Sequence, residues 1–236
     1  MFGENPIRKR DTSSGEVLWT QEVFYTIQGE GPFNGEPAVF VRLAGCNLAC
    51  YFCDTDFESS TWKPTVQELV NKIADAAQGR TRLVVLTGGE PLRQNIALLL
   101  TRLFRNGYRV QIETSGSLWQ ETLSVYIDAG EELTVVCSPK TGRLANGFRA
   151  HAYKYIISAS HGVDADGLPA NSTQQRDRKM RLARPPVTFR RDQIYVQPMD
   201  EYDAALNAAN LSRATELALQ HGYRLCVQMH KLAGVP

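Results

Sequence analysis

From Ala38 onward the chain alternates between two periods, and that alternation limits its fold more than any other feature. Short apolar runs, several rich in β-branched residues, read as strands: Ala38–Ala44, Leu83–Leu86, Tyr108–Ile112, Leu133–Cys137, Tyr153–Ile157, Ile194–Val196 and Leu225–Val227. Longer stretches between several of them carry apolar residues at helical spacing. Val66, Leu69, Val70, Ile73, Ala74 and Ala77 share one face behind Pro64, a residue suited to a helix start. Ile96 to Phe104 and Trp119 to Ile127 read as helices, and Asp203 to His221 as a long one closed by Gly222. Val17 to Thr26 is a strand candidate ahead of this series, followed by the turn-rich string GEGPFNGEP. Such spacing implies parallel βα units in an α/β fold. The units fall short of eight, so an incomplete βα barrel or an open α/β sheet is expected.

A chain of 236 residues suits one domain, and 43% hydrophobic residues suffice for a core. We expect a leader over residues 1–16, loose in its first fifteen, and a single domain over 17–236. The leader shows no apolar core behind its charges, and no run reaches the roughly 20 apolar residues of a membrane helix, so a cytoplasmic protein with no membrane partner is expected. Lys plus Arg number 26 against 25 Asp plus Glu. That balance disfavours a general polyanion binder, and no nucleic-acid partner is expected. One segment breaks both rhythm and balance. Between Arg176 and Arg191 seven Lys or Arg face one acidic residue, Asp177. It reads as part of a basic surface insertion over about 158–192, solvated or serving as a dock for an acidic electron donor.

Three of the five cysteines stand as Cys46-x3-Cys50-x2-Cys53. Clustered thiols in a reducing compartment are more often metal ligands than staples. A structural zinc site needs four protein ligands, and no fourth lies nearby. The nearest histidine is His151, while Cys137 and Cys226 sit in predicted buried strands. Three thiolates on one loop suit three corners of a [4Fe–4S] cube, leaving one iron open to a small chelating molecule. Other polar strings follow predicted strands in the same manner. Thr87-Gly88-Gly89-Glu90-Pro91, Glu113-Thr114-Ser115-Gly116, Ser138-Pro139-Lys140 and Gln197-Pro198-Met199-Asp200 each close one. In α/β folds that edge is where sites are built, so five strand ends are expected to converge on one face.

The cysteine spacing, with Phe52 before the last cysteine, resembles the signature of radical S-adenosylmethionine (radical SAM) enzymes, whose fold is a partial TIM-like βα barrel. Tyr25-Thr26-Ile27-Gln28-Gly29-Glu30-Gly31, Phe40-Val41-Arg42-Leu43, the CDT string and the four motifs above narrow the resemblance to the 7-carboxy-7-deazaguanine synthase family. It runs from about Val23 to Pro236, with the leader and the basic insertion outside it. The resemblance implies ring contraction of 6-carboxy-5,6,7,8-tetrahydropterin with loss of ammonia, a step toward queuosine and other 7-deazapurines. It also implies a [4Fe–4S] cluster, SAM used catalytically, Mg²⁺, a homodimer and a flavodoxin-like one-electron donor.

The family's site residues carry over by motif. Cys46, Cys50 and Cys53 would hold the cluster, and Thr55 the Mg²⁺, with Asp54 an equal candidate on sequence. Ile27, Gln28, Gly29, Glu30, Arg42, Thr87, His230 and the terminal Pro236 would meet substrate. SAM would be held by Phe52, Cys53, Asp54, Gly88, Gly89, Glu90, Thr114, Ser138, Pro139, Lys140, Gln197, Pro198, Met199 and Asp200. No side chain need act as a strong base; the protein's work would be positioning. The tail is expected to reach the site, so that extension past Pro236 impairs activity. Two rival readings remain on sequence. One is a glycyl-radical activating enzyme; the other is a zinc or cluster module binding nucleic acid through Arg176–Arg191.

Overall fold

The computed structural model describes residues 5–53, 55–175 and 179–236. Among the described residues eight strands form one sheet in sequence order. They are β1 (Thr20–Ile27), β2 (Pro37–Leu43), β3 (Leu83–Gly88), β4 (Arg109–Thr114), β5 (Leu133–Cys137), β6 (Ala152–Ile157), β7 (Ile194–Pro198) and β8 (Arg224–Leu225). β1 is antiparallel to β2, and every later pair is parallel. Among the described residues β8 does not pair with β1, so the sheet is an unclosed βα barrel, as expected.

The helices are α1 (Val66–Ala77), α2 (Ala97–Arg105), α3 (Glu121–Asp128), α4 (Ala204–His221) and α5 (Met229–Ala233). α1 starts at a capping box in which Thr65 and Glu68 satisfy each other's backbone N–H. At the start of α4, the Asp203 carboxylate accepts from the Ala205 and Leu206 N–H, both at 2.9 Å. Gly222, at φ 72°, ends that helix in the left-handed region.

Strand alternation divides each strand between two environments. Val39, Val41, Leu43, Val84, Leu86, Val110 and Ile112 pack outward against α1, α2 and α3 in the larger core. Tyr153, Tyr155, Ile157, Ile194 and Val196 pack against α4 and the insertion in a second core. Val136, Ala152, Tyr195 and Cys226 form a small apolar cluster. The opposite residues, among them Arg42, Thr87, Glu113, Lys154 and Gln197, line a cavity.

Several expectations require correction. From Asn5 onward the leader is tied down rather than loose. Ile7 bridges to Cys46, the Arg8 N–H donates to the Cys46 carbonyl at 2.7 Å, and the Asn5 side-chain amide donates to the Thr55 carbonyl at 3.0 Å. Asp11 N–H reaches the Arg93 carbonyl at 2.8 Å. The insertion occupies the β6–β7 connection, and among its described residues there is no α-helix. It is more than a solvated loop, because Leu168, Leu182 and Ala183 are buried and the Tyr155 hydroxyl donates to the Ala183 carbonyl at 2.8 Å. Part of its charge is paired: Arg181 with Asp164, Arg184 with Asp164 and Asp166, and Arg190 with Asp192. Arg176 and Asp177 lie outside the described residues. The last strand spans Arg224–Leu225 rather than Leu225–Val227, and the chain beyond it turns into α5.

Candidate active site at the strand ends

A cavity of about 670 Å³ opens where the parallel strands end. The cysteine loop after β2, Gly88–Gly89 after β3, Thr114–Ser115 after β4, Ser138 and Lys140 after β5, and Gln197–Asp200 at β7 all line it. Parallel pairing puts these ends on one rim, so the five motifs meet as expected. The loop after β1 enters from the other end, since Ile27 pairs with Pro37 at the start of β2. Its Gln28 and Glu30 therefore form the floor.

At the rim, backbone approaches backbone. A Cβ on Gly88 would stand 2.0 Å from the Leu43 carbonyl oxygen, and one on Gly89 2.3 Å from that of Gly45. Gly88 also holds φ at 132°, a region closed to other residues at low cost. The glycine pair thus lets the β3 end brace the cysteine loop: Gly89 N–H donates to the Leu43 carbonyl at 3.1 Å and Glu90 N–H to that of Gly45 at 3.0 Å. Glu90 accepts from the Thr114 hydroxyl (2.7 Å), the Ser115 N–H (2.9 Å), the Ser115 hydroxyl (2.6 Å) and the Leu92 N–H (3.1 Å). Burial pushes its carboxyl upward against those bonds.

Cys46, Cys50 and Cys53 form no disulfide and line the cavity wall. Burial first, and then the Glu90 charge, push the Cys46 thiol up to about 12. Among the described residues no three His, Cys, Asp or Glu side chains converge on a single-ion site. Three cysteines on one loop suit separate irons of a cluster.

The floor is a connected polar network. Lys154 makes a buried ion pair with Glu30. The side-chain amides of Gln197 and Gln228 each donate to Glu30 Oε1 at 3.0 Å. Burial by itself would raise the Glu30 carboxyl, but the Lys154 ammonium and its hydrogen bonds bring it down to about 2. Beside it, Gln28 donates to Glu113 Oε1 at 3.0 Å and the Thr87 hydroxyl to Oε2 at 3.2 Å. His230 caps this floor from α5, packed so close to Gly29 that a Cβ there would meet its Nδ1 at 2.1 Å. Burial lowers the His230 pKa, which favours the neutral imidazole. Lys231 pins the same turn to Asp200 at 2.5 Å.

Most residues singled out in the sequence line the cavity: Gln28, Glu30, Arg42, Phe52, Thr55, Thr87, Gly88, Gly89, Thr114, Ser138, Lys140, the Gln197–Asp200 string and His230 with the cysteines. Five do not. Ile27 lies off the wall and Gly29 backs His230. Glu90 is a buried latch between two motifs, and Pro139 is buried beneath the rim. Pro236 is exposed, and its carboxyl oxygen accepts from the Thr26 hydroxyl at 2.5 Å. Asp54 lies outside the described residues. Glu113, Lys154 and Gln228 were missed as site residues.

A family model described as "Radical SAM superfamily" matches residues 41–156. A 7-carboxy-7-deazaguanine synthase from Rhodospirillum rubrum is 50% identical over 98% of this chain and 98% of its own. The chain belongs to the 7-carboxy-7-deazaguanine synthase family. A second member, from Rickettsia prowazekii, is 38% identical over all of this chain and 96% of its own. These spans are too long to leave the insertion outside the family, which corrects the narrower resemblance read from motifs. The crystal structure of QueE from Escherichia coli shares the fold, with a TM-score of 0.59 and 24% identity over 92% of this chain and 99% of that one. Membership carries a [4Fe–4S] cluster and SAM, and the three cysteines fit that cluster. The glycyl-radical alternative is not favoured. No helix among the described residues is long and apolar enough to cross a membrane.

Proposed function

We propose that this synthase-family member contracts 6-carboxy-5,6,7,8-tetrahydropterin to 7-carboxy-7-deazaguanine with release of ammonia. The half-identical Rhodospirillum rubrum relative, matched across nearly all of both chains, carries the reading. When bound, the cluster would supply the electron that cleaves SAM to the hydrogen-abstracting radical. Cys46, Cys50 and Cys53 hold it. The backbone around Gly88 and Gly89, with Ser138, Lys140 and Met199, frames SAM beside the loop. Arg42 offers a guanidinium fork to the substrate carboxylate. It is held ready by Glu22 at 2.6 Å and lies over the Phe24 ring.

The floor reads the pterin edge. Three of about four acceptor positions on Glu30 are occupied, which leaves one for a pterin N–H. Lys154 keeps that carboxylate ionised, and neutral His230 covers it from water. Thr55 supplies one hydroxyl to Mg²⁺, an ion that retains several waters and takes substrate oxygens. A homodimer and a flavodoxin-like donor complete the proposal, as does a place in queuosine biosynthesis.

The test is anaerobic incubation of reconstituted protein with the carboxylated pterin, SAM, Mg²⁺ and a reductant. Mass spectrometry should find 7-carboxy-7-deazaguanine and ammonia. SAM cleavage without that product would overturn the substrate assignment.

A further inference from the structure

The insertion meets the cysteine loop through side chains as well as backbone. Cys50 forms an antiparallel bridge with Gln174. Tyr51 N–H donates to the Thr173 carbonyl at 3.1 Å, and Gln175 N–H to the Ala49 carbonyl at 3.0 Å. Between these bonds, two side chains converge on one sulfur. The Thr173 hydroxyl stands 3.3 Å from Cys50 Sγ, and the Gln174 amide nitrogen 3.2 Å from it.

Both groups are oriented as donors. The Ala49 N–H donates to Gln174 Oε1 at 3.0 Å, and a backbone N–H cannot accept. That fixes the amide, and the Nε2 end must face the sulfur. Thr173 also lies 3.2 Å from the Lys140 carbonyl. That carbonyl already receives the Ser172 hydroxyl at 3.0 Å and the Thr173 N–H at 3.2 Å. A carbonyl that already takes two donors is the poorer acceptor for a third, and this favours the Cys50 sulfur as the partner of the hydroxyl proton. Hydrogen bonds to cluster sulfurs stabilise the more negative, reduced state and are among the determinants of cluster potential.

We infer that Thr173 and Gln174 are positioning residues that hold the Cys50 thiolate and raise the reduction potential of the cluster it ligates. The inference rests on Cys46, Cys50 and Cys53 being cluster ligands. It gives the insertion a task within the reaction: easing electron entry into the cluster.

The experiment compares anaerobically reconstituted wild type with Thr173→Val, Thr173→Ser and Gln174→Glu. The glutamate keeps an acceptor for Ala49 while removing the donor. Iron content and the visible spectrum come first, and a wild type that binds no cluster would overturn the ligand assignment itself. Dithionite titration followed by electron paramagnetic resonance then gives the midpoint potential. Thr173→Val and Gln174→Glu should each shift the reduction equilibrium against the reduced form. A shift on the order of tenfold, about 59 mV for one electron, is the expected size. Thr173→Ser, which keeps the hydroxyl, should stay near wild type. Equal potentials in all four proteins, with clusters intact, would overturn the proposal and leave the ligand assignment standing. So would a serine variant as shifted as the valine, which would assign the effect to the lost methyl.

Discussion

Replacing Lys154 with methionine tests whether the floor is a paired charge system. The Lys154 and Glu30 side chains are 10% and 13% exposed. Removing one partner of a buried pair leaves an uncompensated charge and costs about 3–5 kcal/mol. Gln197 and Gln228 would still donate to the Glu30 carboxylate, which puts the expected loss near the lower end. For a chain of this size about 3 kcal/mol lowers Tm by roughly 6–12 °C. The double variant Glu30→Gln, Lys154→Met should recover most of it, because the buried charge is gone. The pH dependence has a definite sign. In wild type the Glu30 carboxyl lies below its unfolded value, so its contribution is present above that value and is lost as pH falls toward about 2. In Lys154→Met burial acts without its main opponent and the carboxyl rises above the unfolded value, so protonation relieves the fold. The penalty should therefore shrink from pH 7 to pH 5. Urea unfolding of cluster-free protein, followed by far-UV circular dichroism, keeps the transition near two-state. A loss under about 1 kcal/mol would refute the reasoning. A double variant no more stable than the single one, or a penalty that grows on acidification, would do the same.

Two further outcomes follow from the close contacts. Gly29→Ala would drive a methyl into His230, so it should displace α5 and raise KM for the pterin well above its effect on SAM; parallel rises in both would refute a tail lying over the pterin. His230 has a lowered pKa, so protonation favours the undocked tail; amide exchange in 229–236 should accelerate as pH falls below about 6.5, after correction for intrinsic rates, and His230→Gln should remove that response.

The rim was legible in the sequence and much of the floor was not, for a physical reason. Rim motifs are contiguous: Thr87–Pro91 or Ser138–Lys140 stands as one polar string after one apolar run, so a linear reading meets it whole. The floor takes single residues from several strands, each flanked by apolar neighbours that face the helices. Parallel strands covered on both faces are expected to be apolar throughout. Each polar residue on the inward face is therefore an anomaly against that expectation. Gln111 and Glu113, two apart on β4, are on one side of their strand, and the Gln111 amide donates to Glu113 at 3.1 Å. Lys154 sits alone within AYKYII on β6, and Gln197 within IYVQP on β7. Reading those breaks as inward-facing would have recovered Glu113 and Lys154. Gln228 follows β8 and carried no such mark.

The leader and the insertion failed to read for a different reason. Arg8 holds Cys46 through its N–H, Tyr51 donates its N–H to Thr173, and Gln175 donates its own to Ala49. Backbone bonds of this kind accept nearly any side chain, so composition says nothing about them. A polar, basic stretch then looks like solvated loop even where its main chain clamps the cysteine loop. Its charge misleads in the same way, because Asp164 and Asp166 lie far along the chain from Arg181 and Arg184 yet neutralise them in the fold. Part of the local excess of positive charge in the sequence window is thus offset in the fold.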